Sequence, residues 1–152
     1  MSAERTLVLV KPDGVQRALI GEIIGRFERT GLKLVGMKLV RVTESMAAQH
    51  YAEHAQRPFY PGLIKFITSG PVVAMCIEGP GAVASVRRLM GATNPQESAP
   101  GTIRGDLGVD IGRNLVHGSA TLDDAAREVA IFFDPKELVE FARSNEPWIV
   151  EG

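Results

Sequence analysis

Two spacings of apolar residues divide the 152-residue chain into predicted strands and helices. Continuous apolar runs predict strands at 6–10, 33–42 and 71–77, and the first run is typical of a strand buried on both faces. Apolar residues three and four positions apart predict helices. The helices are expected to run from Ile20 to a stop at Gly31, and over 43–54, 63–67, 82–90, 121–133 and 135–143, the last one short.

Capping and breaking residues set the expected ends of these helices. Thr43 and Thr121 each precede a helical pattern, where a threonine hydroxyl can cap the first turn. Two prolines within 57–62 end the helix before them, because proline lacks the backbone N–H that a helix needs. The segment 97–114 is expected to be a loop, since it shows neither spacing.

The segment from Gly79 to Ala84 fits the loose dinucleotide-binding pattern G-x-G-x-x-A, but we reject that interpretation. A Rossmann unit needs this turn after its first strand, with a parallel strand–helix–strand unit following, whereas here the turn lies in mid-chain. We interpret it as a helix N-terminus. The chain has no G-x-x-x-x-G-K-[ST] sequence, which argues against a P-loop enzyme.

Side chains suited to phosphate chemistry concentrate in the stretch 101–119. It combines five glycines with Arg104, Arg113, Asn114, His117 and Ser119. Glycine lets backbone N–H groups turn toward an anion, and arginine offers a fork of donors that fits phosphate oxygens. A histidine can act as a nucleophile near neutral pH. The stretch therefore indicates phosphoryl transfer through His117, and the alternative is a glycine-rich loop with a histidine in a purely structural role.

Composition narrows the class of protein. The length fits one domain over 1–152, and 45% hydrophobic with 23% charged residues is ordinary for a globular chain. A net charge of −1 gives no global field for a nucleic acid, so no nucleic acid is expected to be required. The single cysteine, Cys76, excludes an intramolecular disulfide, and no apolar run is long enough for a membrane span. We expect a cytoplasmic protein with no membrane partner.

Several short motifs follow one another along the chain, among them Asn114-Leu-Val-His-Gly-Ser119 and Pro100-Gly-Thr-Ile-Arg-Gly-Asp106. The first resembles the active-site signature of nucleoside diphosphate kinases, and the second resembles the phosphate-binding segment of the same family. The resemblance extends to Val10-Lys-Pro-Asp-Gly14, Arg57-Pro-Phe59 and 66–73, so it covers nearly the whole chain.

The resemblance implies a fold. The order of predicted elements is β-α-β-β-α-β with extra helices after the second strand. The family adopts this order as a ferredoxin-like α+β fold, a four-stranded antiparallel sheet. We expect the helices to cover one face of that sheet.

The resemblance also implies an activity: the γ-phosphate of a nucleoside triphosphate such as ATP passes to His117 and then to a nucleoside diphosphate, in a ping-pong cycle. Glu128 matches the carboxylate that holds the catalytic imidazole, and Ser119, which belongs to the active-site signature, is expected to be catalytic as well. Tyr51 matches a tyrosine pointed at that histidine. His50, in contrast, is expected to lie on the surface.

Nucleotide-binding roles follow from the same resemblance. Lys11 and Asn114 would hold the sugar, with Lys11 also near the transferred phosphate. The phosphates would be bound by Arg87, Thr93, Arg104 and His54, with Mg²⁺ held mainly by the phosphates themselves. Of the neighbours Arg87 and Arg88, one is expected to face solvent. The base would lie against Phe59, Leu63 and Ile111, and stacking of this kind does not distinguish one base from another.

Two further expectations concern a departure and an assembly. Family members usually have Asp or Asn where this chain has Ala120. The chain therefore lacks a polar side chain that the family places near the bound metal, and Glu53 is the available substitute for it. The apolar tail 146–150 is expected to pack on a neighbouring subunit, and the resemblance implies a homohexamer.

Two other classes of protein remain open at this point. A ferredoxin-like regulatory module that binds a nucleotide without turnover would explain the arginines and Phe59, but it would not explain Glu128 eleven residues after His117. A nucleic-acid-binding protein is disfavoured by the net charge.

Overall fold

The structure is a computed structural model and describes residues 3–152. Within that range the chain forms four strands: β1 (Ala3–Val10), β2 (Lys33–Val40), β3 (Val72–Pro80) and β4 (Val116–Gly118). The α-helices are α1 (Pro12–Gln16), α2 (Ile20–Arg29), α3 (Glu44–His50), α4 (Tyr60–Ile67), α5 (Ala82–Met90), α6 (Ile103–Leu107) and α7 (Leu122–Phe132). Short 3₁₀ turns lie at Ala52–His54, Pro95–Glu97, Pro135–Glu137 and Glu146–Trp148.

The four strands make one antiparallel sheet in the order β2-β3-β1-β4. This order and the helices between the strands confirm the predicted ferredoxin-like fold. In the register of β1 and β4, Leu9 lies opposite His117. The shortest strand therefore places the candidate nucleophile beside the central strand of the sheet.

Helices cover both faces of the sheet, so the expectation of helices on one face is wrong. Alternate residues of β1 enter two separate cores: Val8 and Val10 pack with α2 and α5, whereas Leu7 and Leu9 pack with α3, α4 and α7. The extra helices after β2 and the helix after β4 need an apolar surface, and the second face supplies it. This explains why the first apolar run has no polar alternation.

Near the site, the structure differs from the predicted helices and loops at three places. The helix predicted over 43–54 begins as expected, with the Thr43 hydroxyl accepting the N–H of Met46 at 3.1 Å, but its α-helical part ends at His50. A 3₁₀ turn follows the cap residue Tyr51. Helix α1, which starts at Pro12, was not predicted, and α6 lies inside the predicted loop 97–114, where the Thr102 hydroxyl caps it by accepting the N–H of Gly105 at 3.0 Å.

The helix predicted over 135–143 is wrong beyond its first turn. Asp134 and Glu137 form a capping box around a single 3₁₀ turn. The chain then leaves the helical path, because the N–H of Val139 donates to the carbonyl of Val35 at 2.8 Å and Leu138 packs against Gly36. Pairing with β2 thus replaces further helical hydrogen bonds. Among residues 3–152, no helix has both the length and the apolar character that a membrane crossing requires.

Candidate active site

A cleft of about 750 Å³ opens where β4, the end of α3, α5 and α7 meet. Twelve of the predicted site residues line it: Lys11, Tyr51, His54, Phe59, Leu63, Arg87, Thr93, Arg104, Ile111, Asn114, His117 and Glu128. Ser119 is the predicted residue that does not line the cleft, because its fully buried side chain lies behind Glu128.

His117 is held by a carboxylate through one ring nitrogen. Its Nε2 lies 2.7 Å from Oε1 of Glu128, and the hydroxyl of Ser119 donates to the same oxygen at 2.8 Å. Burial acts to raise the pKa of Glu128, but the hydrogen bonds from His117 and Ser119 act the other way and the net pKa is lowered. An ionised carboxylate accepts a hydrogen bond, so Nε2 carries the proton and Nδ1 keeps its lone pair.

His50 is buried, which corrects the prediction that it lies on the surface. Its ring meets that of His117 edge-to-face, with centroids 4.5 Å apart, and also contacts Phe132 at 5.7 Å. Burial lowers the pKa of His50 to about 3, so this ring is neutral at physiological pH. A neutral ring beside the candidate nucleophile restricts its rotation without adding charge.

The backbone before His117 has an unusual conformation. Leu115 is fully buried at φ +75°, in the left-handed region that side chains other than glycine rarely adopt. Both of its polar groups are held: the N–H donates to Asp13 Oδ2 at 3.0 Å, and the carbonyl accepts the N–H of Lys11 at 2.8 Å. Backbone strain of this kind concentrates at functional sites.

Lys11 and Asn114 form a partly buried polar pair in the lining of the cleft. The Lys11 ammonium donates to Asn114 Oδ1 at 2.8 Å, and Asn114 Nδ2 donates to the carbonyl of Thr93 at 2.9 Å. Burial lowers the pKa of Lys11 to about 8, with Asp13 opposing this shift. Sequence alone would assign Lys11 to a solvated turn. In the structure, its side chain is instead largely enclosed just after the end of β1.

The two predicted arginines differ in their surroundings. Arg104 is buried and donates to the carbonyls of Asn114, Gly91 and Val116 at 3.1, 3.2 and 2.7 Å, so two of its five N–H groups remain for a ligand. Burial lowers the pKa of Arg104 to about 10, which leaves it charged at neutral pH. Arg87 is exposed on α5 and donates to the carbonyl of Gly118 at 3.0 Å.

The close approach of Arg87 to β4 depends on Gly118. A Cβ at Gly118 would come within 2.7 Å of Met90 Sδ and 2.9 Å of a Val86 methyl group, closer than side chains pack. Glycine therefore lets α5 lie directly against the strand that carries His117. Arg88, in contrast, is exposed and does not line the cleft, so the prediction that one of the two arginines faces away is confirmed.

Aromatic and apolar side chains form the outer part of the cleft. Phe59 is 49% exposed, and Ile111 is 57% exposed. The ring of His54 lies between those of Phe59 and Tyr51, at 5.5 and 6.3 Å. Burial raises the pKa of Tyr51 to about 12, so its hydroxyl keeps its proton and remains a donor. The cleft thus has a flat apolar entrance and a polar interior.

Among the cationic residues of the cleft, the sequence analysis missed Arg127 and gave Arg113 no role of its own. Arg127 lies beside Glu128 on α7 and lines the cleft with Asp124, three residues before it, as a helix dictates. Arg113 stacks on the ring of Phe66, with 4.4 Å from the guanidinium carbon to the ring centroid. The one sequence signal for Arg127 was its position next to a candidate carboxylate.

The charges of the cleft favour an anion. Its lining contains three acidic side chains, one of them Glu128, against five cationic ones: Lys11, Arg87, Arg104, Arg113 and Arg127. His50, His117 and Glu128 place potential metal-binding atoms within 4.8 Å of one another. However, Glu128 already accepts two hydrogen bonds, and Arg127 Nη2 lies 3.5 Å from its other oxygen. These contacts make the cluster a hydrogen-bonded site and disfavour a directly bound cation.

A cationic cleft, a carboxylate-bound histidine with a free nitrogen and an aromatic entrance define a nucleotide-dependent phosphotransferase. A family model described as nucleoside diphosphate kinase matches residues 4–138. A nucleoside diphosphate kinase from Cyanothece sp. is 62% identical over 97% of this chain and 99% of its own, and one from Archaeoglobus fulgidus is 57% identical over 97% and 98%.

Solved structures agree with the sequence relatives. The halophilic nucleoside diphosphate kinase of Halobacterium salinarum, in complex with CDP, superimposes with a TM-score of 0.96 at 56% identity, over 99% of this chain and all of that one. The chain belongs to the nucleoside diphosphate kinase family. Its activity is the transfer of the γ-phosphate of a nucleoside triphosphate to a nucleoside diphosphate, which excludes a module that only binds nucleotide.

Proposed function

We propose that Nδ1 of His117 is the atom that accepts the phosphoryl group. The observation that carries this proposal is the 2.7 Å contact between His117 Nε2 and Glu128 Oε1. It commits one nitrogen to the carboxylate and leaves the other with a lone pair inside a cationic cleft. In the first half-reaction a bond forms between Nδ1 and the γ-phosphorus while the bond from that phosphorus to the bridging oxygen breaks, and the diphosphate leaves.

The reverse of this step completes the cycle. A second nucleoside diphosphate occupies the same cleft, and its terminal oxygen takes the phosphoryl group from Nδ1. Glu128 stabilises the imidazole when it becomes cationic on phosphorylation, and Ser119 holds Glu128 by donating to its Oε1. Ser119 therefore acts as a positioning residue, because it touches the carboxylate and does not line the cleft.

The remaining polar residues bind the nucleotide. Arg87 and the two unused N–H groups of Arg104 neutralise the phosphates, since phosphoryl transfer depends mainly on positioning and charge. Tyr51, His54 and Thr93, which also line the cleft, orient the same phosphates. Lys11 and Asn114 form a hydrogen-bonded pair whose spare donors suit the sugar hydroxyls.

The base lies at the cleft entrance. Phe59 and Ile111 supply exposed apolar surfaces there, and Leu63 lines the cleft from α4. The solved relative from Halobacterium salinarum carries CDP, a pyrimidine nucleotide. A stacking surface accepts purines and pyrimidines alike, so we propose that this chain uses several bases.

Mg²⁺ is the proposed cofactor, bound mainly through the nucleotide phosphates. The cleft fits this arrangement because it has no cage of free carboxylates: Glu128 is engaged by His117 and Ser119, while Glu53 and Asp124 lie at the rim. Those two rim carboxylates can accept hydrogen bonds from water on the ion. When bound, Mg²⁺ would neutralise phosphate charge during transfer.

Assembly and location are further proposals. An exposed tryptophan at the tail and an apolar edge strand support a homo-oligomer, with the hexamer as the expected form. Two cores share one sheet, which supports 1–152 as a single domain. The cytoplasmic location, and the absence of any membrane or nucleic-acid requirement, stay predictions from the sequence.

Replacing His117 with Ala tests the proposed nucleophile. We expect γ-phosphate exchange to fall by at least about a thousandfold, because loss of a nucleophile removes the chemical step. Nucleotide affinity, measured by calorimetry, should stay within about threefold, since the imidazole contributes chemistry more than binding. Exchange near the parent rate would show that another residue reacts.

A further inference from the structure

Arg127 contacts two parts of the cleft at once. It lies on α7, its side chain is 37% exposed, and it lines the cleft. Its Nη1 donates to the carbonyl of Gln49 at 2.9 Å, and its Nη2 lies 3.5 Å from Oε2 of Glu128. The roles proposed above for His117 and Glu128 do not account for this side chain.

The two oxygens of Glu128 are in different surroundings. Oε1 accepts hydrogen bonds from His117 and Ser119, at 2.7 and 2.8 Å. Oε2 has Arg127 as its cation, and among the residues that the structure describes no other lysine or arginine nitrogen lies within 4.0 Å of Glu128. The guanidinium therefore restrains the side of the carboxylate that the hydrogen bonds from His117 and Ser119 leave free.

The other contact of Arg127 is at the end of α3. Gln49 lies in the last turn of that helix, and His50 and Tyr51 follow it directly in the chain. The ring of His50 packs on that of His117. The C-terminal end of a helix carries partial negative charge, which favours a cation at this carbonyl. Arg127 thus ties the helix end that leads into the 3₁₀ turn at His54 to the helix that carries Glu128.

We propose that Arg127 is a positioning residue for phosphoryl transfer. Its guanidinium keeps the imidazole of His117 at a fixed distance from the wall that carries Tyr51 and His54. This inference rests on the proposed roles of His117 and Glu128. The competing explanation is an ordinary rim ion pair, since Arg127 also lies 3.6 Å from Asp124 Oδ1 and 3.9 Å from Glu53 Oε1, and exposed pairs of that kind contribute little.

Two variants and one control separate these explanations. Arg127→Gln removes the charge and the fork, and Arg127→Lys keeps a charge that cannot reach Gln49 and Glu128 together. Arg88→Gln makes the same change at an exposed helical arginine outside the cleft. At saturating Mg²⁺ we expect Arg127→Gln to lower kcat about tenfold while KM changes less than about threefold. Arg127→Lys should lose about threefold in kcat, and Arg88→Gln should stay within about twofold of the parent.

Nitrogen-15 NMR of the histidine rings gives a readout that fold stability alone does not move. The chain has three histidines, so His117 can be assigned by comparison with His117→Ala. We expect the parent and Arg127→Lys to show the same sharp Nε2–H signal for His117, and Arg127→Gln to show that signal broadened and shifted because the carboxylate that accepts this proton is held less firmly.

Two results would overturn the inference. One is a parent-like kcat and a parent-like His117 ring in Arg127→Gln. The other, which decides the matter if that variant does not fold, is a parent-level kcat in Arg127→Lys. Failure of the proposed function is recognised separately, because it would appear as retained turnover in His117→Ala.

Discussion

Lys11 shows how burial changes the chemistry of a single residue. Its ammonium is enclosed at the end of β1 and hydrogen-bonded to Asn114, and burial lowers its pKa to about 8 from the ordinary 10.5. The lysine is therefore charged below pH 8 and loses its charge as the pH rises through that value. A group proposed to bind nucleotide thus titrates just above physiological pH.

We predict that nucleotide binding weakens above pH 8 because Lys11 becomes neutral. KM should rise by up to about tenfold per pH unit above 8, whereas kcat at saturation should change less, since a bound anion favours the charged lysine. Steady-state kinetics from pH 7 to 9.5 would measure this. Lys11→Arg keeps its charge over that range and should lack the rise; a parent KM that stays flat to pH 9.5 would contradict the assigned role.

At the residue scale, the resemblance of the motifs to those of a known family predicted the site residues, and the structure brings twelve of them together around one cleft. The surroundings of single residues could not be predicted in the same way. The sequence around His50 predicts an exposed position, and its burial depends on contact with Phe132 of α7, which is distant in sequence. Arg127 resembles any solvated helical arginine until its distances to Gln49 and Glu128 are known.

At the scale of an element, the N-terminus of α7 separates the capping of the helix from the role of position 120. The Thr121 hydroxyl accepts the N–H of Asp124 at 3.0 Å, so the first turn is capped without help from position 120. Ala120 is exposed and lines the cleft, near the rim carboxylates of Asp124 and Glu53. A longer acidic side chain at position 120 would therefore act on the bound nucleotide and its metal more than on the helix.

We predict that Ala120→Asp lowers the Mg²⁺ concentration needed for half-maximal rate and leaves kcat within about tenfold, or about 1.4 kcal/mol. Because Thr121 already caps α7, the free energy of unfolding should change by less than about 0.5 kcal/mol. Titrating Mg²⁺ at fixed nucleotide, together with urea unfolding, measures both. An unchanged Mg²⁺ curve with higher stability would assign position 120 to capping instead.

The elements themselves were predictable where packing follows local spacing. The strands at 6–10, 33–42 and 71–77 and the helix at 82–90 agree with β1, β2, β3 and α5 to within a few residues. The prediction was wrong at 135–143, because Val139 pairs with Val35 about a hundred residues away. Local spacing carries no information about such a partner.

The whole molecule leaves apolar surface uncovered. Strand β2 is an outer strand of the sheet, and it exposes 56% of Met37 and 66% of Leu39. Trp148 in the tail is 90% exposed, whereas its neighbour Ile149 packs against Gly31 of the same chain. An edge strand and an exposed tryptophan are surfaces that a second copy of the chain would bury.

We predict a hexamer in solution, stabilised by these surfaces. Light scattering at micromolar concentration should give six times the mass of one 16.4 kDa chain. Trp148→Ala should weaken the assembly, since it removes the most exposed apolar side chain named above, and Arg88→Gln serves as a surface control. A parent protein that is monomeric under these conditions, or tetrameric, would contradict the prediction.

The central claim is that Nδ1 of His117 carries the phosphoryl group between two nucleotides. The most direct measurement is a brief pulse of γ-labelled ATP without acceptor, followed by acid and base treatment of the protein and by identification of the phosphorylated nitrogen. We predict label that is lost in acid and stable in base, located on Nδ1 of His117 and absent from His117→Ala. Acid-stable label, label on Nε2, or label retained by His117→Ala would contradict the account.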